Sequence, residues 1–284
     1  MSPVDPSRPE HDWLARLDLR FERHGARTVL VERTHEGPLR VQKPFYPEDE
    51  TVCQVVLVHP PGGVARGDRI ELSARLGTGS HAQLTTPGAG KWYRSEGAWA
   101  GQQVRFELGE GAVLEWLPQE NILFDGARAR MQMIIELAPQ ARYLGWEIHC
   151  LGRRAAGEHY RSGRLILLTR VERSGRLLWL ERGRVEGGGG QLVAAPALAG
   201  RSVCGTFVAA APSIAPELIE GCRGIAPSER EAFAGVTQLP TGVLLARYLG
   251  HSAEAARAWF TALWRLLRPA LLGRAAIPPR IWNT

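Results

Sequence analysis

Lysine is nearly absent from this chain: Lys43 and Lys91 are the only two among 35 basic residues. The positive charge is therefore carried by arginine, dispersed along alternating segments with no basic stripe and no interleaved aromatics. Despite a net charge of +6 and a pI near 9.5, that dispersal argues for a solvated sheet face and against a nucleic-acid surface. Cysteine is scarce as well. Cys53, Cys150, Cys204 and Cys222 lie far apart and form no C-x-x-C pair, which excludes a disulfide framework or structural zinc site and predicts reduced thiols in the cytoplasm. No run approaches the ~20 apolar residues of a membrane-spanning helix. The N-terminal stretch, with Asp5, Glu10 and Asp12 among prolines, lacks the basic head and apolar run of a signal peptide. Catalytic signatures are missing too: there is no G-x-S-x-G nucleophile elbow and no helical His pair at i, i+4 spacing.

What is present is period-2 alternation. In 70–76, Ile70, Leu72, Ala74 and Leu76 alternate with Glu71, Ser73 and Arg75; Gly77-Thr78-Gly79-Ser80 then reads as a reversal, and 82–86 as the returning arm of a hairpin. Segments 13–31 predict a first hairpin, and 52–58 is a continuous apolar run suited to a strand buried on both faces. Further strands are predicted over 104–108, 112–117 and 127–137, where Ala129, Met131, Met133, Ile135 and Leu137 share one face. In the next strand, Leu144, Trp146, Ile148 and Cys150 form one face and Glu147 and His149 the other. Spacing alone gives that second face to solvent, while allowing an oxygen and a nitrogen ligand side by side. Segments 164–171 and 177–180 form a hairpin across Ser174-Gly175 that Glu181 closes, and 203–210 and 243–249 add two strands.

Helix signals come late. A short helix is predicted at 216–222, where Pro216 suits a first helical position. Ser252 caps a second, whose stripe of Ala255, Ala256, Trp259, Phe260, Leu263, Leu266 and Leu267 runs until Pro269 stops it. About a dozen strands without βαβ alternation predict an all-β protein with a small C-terminal helical part, and periodicity alone does not separate a sandwich from a β-helix. We read 1–284 as one domain: β-rich over 12–210, short helices and the C-terminal helix within 213–268, and a tail at 269–284.

Two nucleotide motifs fail on inspection. Around Gly90-Lys91 a phosphate loop would need glycine and Ser or Thr where Thr85 and Trp92 stand. Gly77-Thr78-Gly79-Ser80-His81-Ala82 runs into a strand, so no helix N-terminus receives a pyrophosphate. Asp68, after Gly67, suits a turn carboxylate bonding local N–H groups. From the residues alone, a stand-alone hydrolase on a β scaffold and a β-rich binding module both stay open.

Several ordered blocks carry a resemblance. His59-Pro60-Pro61-Gly62-Gly63 with Gly67-Asp68, followed by Thr85-Thr86-Pro87-Gly88-Ala89, Lys91 and Tyr93-Arg94-Ser95, resembles the signature of the UreD family of urease accessory proteins. The 37–48 and 115–120 blocks, Phe124-Asp125-Gly126-Ala127, Trp146-Glu147, Gly152-Arg153, Gly157-Glu158 and the closing Pro279-Arg280-Ile281-Trp282 follow in that family's order. The resemblance implies a β-helix-like fold with a few helices and a non-enzymatic factor acting with UreF and the GTPase UreG on urease apoprotein (UreABC). It further implies no tightly bound cofactor, but an internal passage for Ni²⁺ in transit. Asp68, Glu147, Glu158 and Glu181 are the acids expected to line or shape such a passage, and the C-terminal helix and tail are expected to dock UreF.

Overall fold

The computed structural model describes residues 13–283; the N-terminal acids through Asp12, read above against a signal peptide, and Thr284 lie outside the described residues. The first alternating segments form a hairpin of β1 (Leu14–His24) and β2 (Arg27–Glu36), which turns at Gly25 with φ +61°. After β3 (Arg40–Val41) and β4 (Val52–Val58) come β5 (Arg69–Leu76), β6 (His81–Thr85), β7 (Gly90–Trp92), β8 (Ala100–Leu108), β9 (Val113–Leu117) and β10 (Asn121–Leu123). Then follow β11 (Arg128–Leu137), β12 (Arg142–Leu151) and β13 (Arg164–Arg173), the last forming a hairpin with β14 (Arg176–Glu186). The remainder is β15 (Val203–Ala210), α1 (Pro216–Arg223), β16 (Phe233–Gln238), β17 (Leu244–Gly250) and α2 (Ala253–Leu272).

The expected hairpin over 70–86 does not form. β5 pairs in parallel with β1 and β8, whereas β6 lies in the other sheet, parallel to β4 and β9. The glycine turn is a corner that carries the chain from one sheet to the other, with Gly79 at φ +66° and Ser80 N–H donating to the Gly77 carbonyl at 3.1 Å. Repeating that step builds a β-solenoid-like stack. One sheet runs β14-β13-β11-β8-β5-β1-β2, the other runs β16-β17-β15-β12-β9-β6-β4-β3, and β7 and β10 make a short third side. Because successive coils stay in register, Leu17, Leu72, Val104, Met133, Thr169 and Glu181 form one row across the seven-stranded sheet. That row starts apolar and ends in a carboxylate.

The two outer faces differ. On the seven-stranded sheet, arginines and glutamates alternate across strands: Arg16 meets Glu71 at 2.7 Å, Arg20 meets Glu32 at 3.0 Å and Arg105 meets Glu136 at 2.8 Å. Exposed pairs of this kind contribute at most about 1 kcal/mol each, and they show where part of the dispersed arginine charge goes. The other sheet is covered by α2, whose Trp259, Phe260, Leu263 and Leu267 pack in one cluster with Trp146, Ile148 and Phe207. Ser252 caps α2 as expected, its hydroxyl accepting the Ala255 N–H at 3.0 Å. Pro269 does not stop the helix, which continues to Leu272 and ends at Gly273 in the left-handed region. Burial of Leu267 and Arg268 on the sheet side holds this last turn against the lost proline N–H. The tail then folds back, Trp282 donating its indole N–H to the Thr85 hydroxyl at 2.9 Å.

Candidate functional site

Two cavities lie between the sheets, of about 280 Å³ and about 300 Å³. Leu72 and Val104 of the in-register row line the first, and Met133, Thr169 and Glu181 line the second, so the cavities follow one another along the solenoid axis. Glu147 contributes to both walls.

β12 places Glu147 there because both of its faces are buried. Trp146, Ile148 and Cys150 pack toward α2, and Tyr143, Gly145, Glu147 and His149 line the second cavity. The solvated-face reading of Glu147 and His149 is thereby corrected: the face opposite the apolar stripe is interior, with His149 only 5% exposed. Gly145 keeps this wall thin. A Cβ there would lie 2.5 Å from the Tyr143 hydroxyl and 2.8 Å from the Trp116 carbonyl oxygen.

Burial, and next the nearby charge of Glu181, push the Glu147 carboxyl up to about 7. Burial draws the His149 imidazole down to about 4, so the ring is neutral at physiological pH. Its Nε2 stands 4.0 Å from Glu147 Oε2, too long for a hydrogen bond, and its buried Nδ1 has no partner. Glu181 is ion-paired with Arg247, whose guanidinium also donates to the Thr206 hydroxyl at 3.1 Å and sits 5.6 Å above the Trp179 ring. Thr206 is the cross-strand neighbour of both Glu147 and Arg247. Sequence reasoning missed Arg247 and Cys204, which also lines the second cavity; only the strand register brings them in.

The other two candidate acids sit elsewhere. Asp68 lines neither cavity; its carboxylate accepts the Ala65 N–H at 2.7 Å, the turn role its position suggested. It is close enough to raise the pKa of His59, a first-cavity residue, against the larger downward pull of burial. Glu158 also lines neither cavity and grips Arg153 through bonds of 2.9 and 3.1 Å. Arg153 lies 4.2 Å above the Phe124 ring, Phe124 meets Tyr93 edge-on at 4.9 Å, and Arg94 pairs with Asp125 at 3.5 Å. Four sequence blocks that looked separate thus converge on one surface beside β7 and β10. The 59–63 loop and the 86–91 segment form the first cavity's wall, with Lys91 on β7 and no helix after it. Tyr93 packs so closely on Gly63 that a Cβ there would lie 2.3 Å from its ring.

A second polar group lies under α2, around Glu115 of the 115–120 block. Glu115, fully buried, accepts bonds from Trp264 Nε1 at 2.6 Å and Arg268 Nε at 2.9 Å, and its other oxygen lies 2.8 Å from His81 Nε2. Burial pushes this carboxyl up, but His81 and Arg268 together outweigh it and hold it at about 2. All its acceptor sites are occupied by the chain's own donors, so the group is structural. Among the described residues, no three His, Cys, Asp or Glu side chains converge to hold a metal ion.

A family model described as "UreD urease accessory protein" matches residues 14–283. The chain is 56% identical over 283 residues to a urease accessory protein UreD of Dechloromonas aromatica (strain RCB), covering 98% of both chains. It is 50% identical over 272 residues to the protein of that name from Azoarcus sp. (strain BH72), covering 96% of this chain and 94% of the relative. To that of Pseudomonas aeruginosa it is 48% identical, covering 96% and 95%.

Proposed function

The chain belongs to the UreD family of urease accessory proteins, and from that membership we propose that it carries Ni²⁺ through its interior toward urease apoprotein while bound to UreF and UreG. It is a maturation factor and not an enzyme. GTP hydrolysis falls to UreG, in keeping with Lys91 on a strand without a phosphate loop. The nickel is cargo, and no resident cofactor is needed.

The observation that carries this reading is the shared position of Glu147 in the walls of two successive interior cavities, with Glu181 farther along the same axis. Carboxylate oxygens and one imidazole in sequence suit a cation that must bind and leave, because open, incomplete ligand sets release an ion where a closed site would keep it. The 59–63 and 86–91 segments wall the first cavity, and Asp68 braces the turn that follows the first of them by accepting the Ala65 N–H. Glu158 acts outside the passage, by fixing Arg153 on the Phe124 surface. The four cysteines are free, which suits a reducing compartment. Among the described residues no helix is long and apolar enough to cross a membrane.

The test is maturation itself. Urease apoprotein is produced with UreF and UreG, with and without this chain, and its nickel content is measured by mass spectrometry. We expect nickel-poor, inactive urease without the chain. Equal nickel in both preparations would refute the proposal.

A further inference from the structure

We propose that His149 and Cys204 form a cross-strand ligand pair that holds a borderline divalent cation such as Ni²⁺ at one stop in the second cavity. The proposal rests on the passage reading and adds a site to it. β12 and β15 run antiparallel with His149 directly opposite Cys204, and both side chains line the same cavity. Directly opposed residues have Cβ atoms about 4.5–5.5 Å apart. An imidazole nitrogen and a sulfur bound to one metal ion lie about 3.5 Å from each other, which side chains at that separation can reach.

The second, independent mark is the orphaned nitrogen. His149 Nδ1 is buried and has no hydrogen-bond partner, an arrangement that costs stability unless something else occupies it. Nε2 is the nitrogen nearer the Glu147 carboxylate, at 4.0 Å. In the tautomer that carries the proton on Nε2, the unpartnered Nδ1 presents its lone pair to a metal. Cys204 supplies the soft partner. A thiolate–imidazole pair favours nickel, zinc or copper over the magnesium and calcium that oxygen ligands alone would admit. As the metal–sulfur bond forms, the thiol S–H bond breaks and its proton leaves to water in the cavity; no electron is transferred. Two protein ligands leave the remaining positions to water, so the ion is selected without being retained. Glu181 and its partner Arg247 line the same cavity.

The test loads the purified full chain with Ni²⁺ alone and reads the metal by X-ray absorption and by the near-ultraviolet nickel–thiolate band. We expect one sulfur and at least one imidazole in the coordination shell. The band should vanish in Cys204→Ser, weaken with at least about tenfold poorer affinity in His149→Gln, and persist in Cys150→Ser, whose thiol packs toward α2. A shell of oxygen and nitrogen only, absence of nickel binding, or a band that follows Cys150 would overturn the pair. The X-ray measurement uses the unaltered chain, so a misfolded variant does not protect the idea. Urease maturation with Glu147→Gln and Glu181→Gln separates the two claims. If nickel loading depends on these acids while sulfur is absent from the shell, the pair fails and the passage stands; indifference to both acids removes the passage itself.

Discussion

Glu115 and Glu147 are both carboxylates in the interior, and their surroundings give them opposite consequences. Glu115 is held charged by Arg268, Trp264 and His81, so Glu115→Gln leaves a buried guanidinium short of its partner and should cost about 3–5 kcal/mol in urea unfolding. Its folded pKa of about 2 lies below the ordinary 4.5. That stabilisation is therefore complete above pH 4.5, worth about 3 kcal/mol, and is lost as pH falls from 4.5 toward 2. Melting curves of wild type and Glu115→Gln should converge across that window. Glu147 shows the reverse sign. Its carboxyl is raised to about 7, so its ionisation penalty grows from pH 4.5 and is complete above 7. Glu147→Gln should raise stability at pH 8 by roughly 1–3 kcal/mol, measurable as a higher unfolding midpoint. A residue that destabilises its own fold in this way is consistent with a functional role. At Gly145 the constraint is steric: Gly145→Ala brings a methyl against the Trp116 carbonyl and should cost about 1–3 kcal/mol.

At the scale of elements, alternation revealed which stretches are strands and left open what they pair with. Leu72 and Val104 point inward whether 70–76 is one arm of a hairpin or one side of a coil, because both have the same period; only the glycine corner at 77–80 decides, and its dihedrals are not written in residue type. The β-helix-like arrangement was therefore legible through the ordered family blocks and not through periodicity. β16 was missed because Phe233, Ala234 and Gly235 are all exposed, leaving no inside-outside pattern to read. Glu147 and His149 were rightly placed on one face of a strand. That face read as solvated because polar residues there oppose an apolar stripe, and nothing local announces that α2, over a hundred residues later, covers the stripe and leaves the polar face inside. Cys204 and Arg247 carried no signal, since their meaning comes from β15 and β17 lying beside β12. In α2, Pro269 is exposed and serves no packing role. Restoring the helical N–H recovers part of the ~3 kcal/mol proline penalty, less up to about 1 kcal/mol of unfolded-chain entropy. Pro269→Ala should raise the unfolding midpoint.

The whole molecule is a stack of coils with two cavities inside it and with cross-strand ion pairs on the outer face of the seven-stranded sheet. Its in-register rows include the one from Leu17 through Thr169, which ends at Glu181 on the wall of the cavity that Glu147 also lines. Exposed pairs such as Arg105–Glu136 add little stability and line neither interior cavity, which makes Glu136→Gln a fair control. The most direct measurement is the nickel content of urease matured with the Glu147→Gln/Glu181→Gln chain, compared with wild type and Glu136→Gln, after pull-downs establish that all three assemble equally with their partners. A passage through the interior requires a several-fold loss of nickel in the double variant alone. Full nickel loading by that variant, in an intact complex, would contradict transport through the interior of this protein.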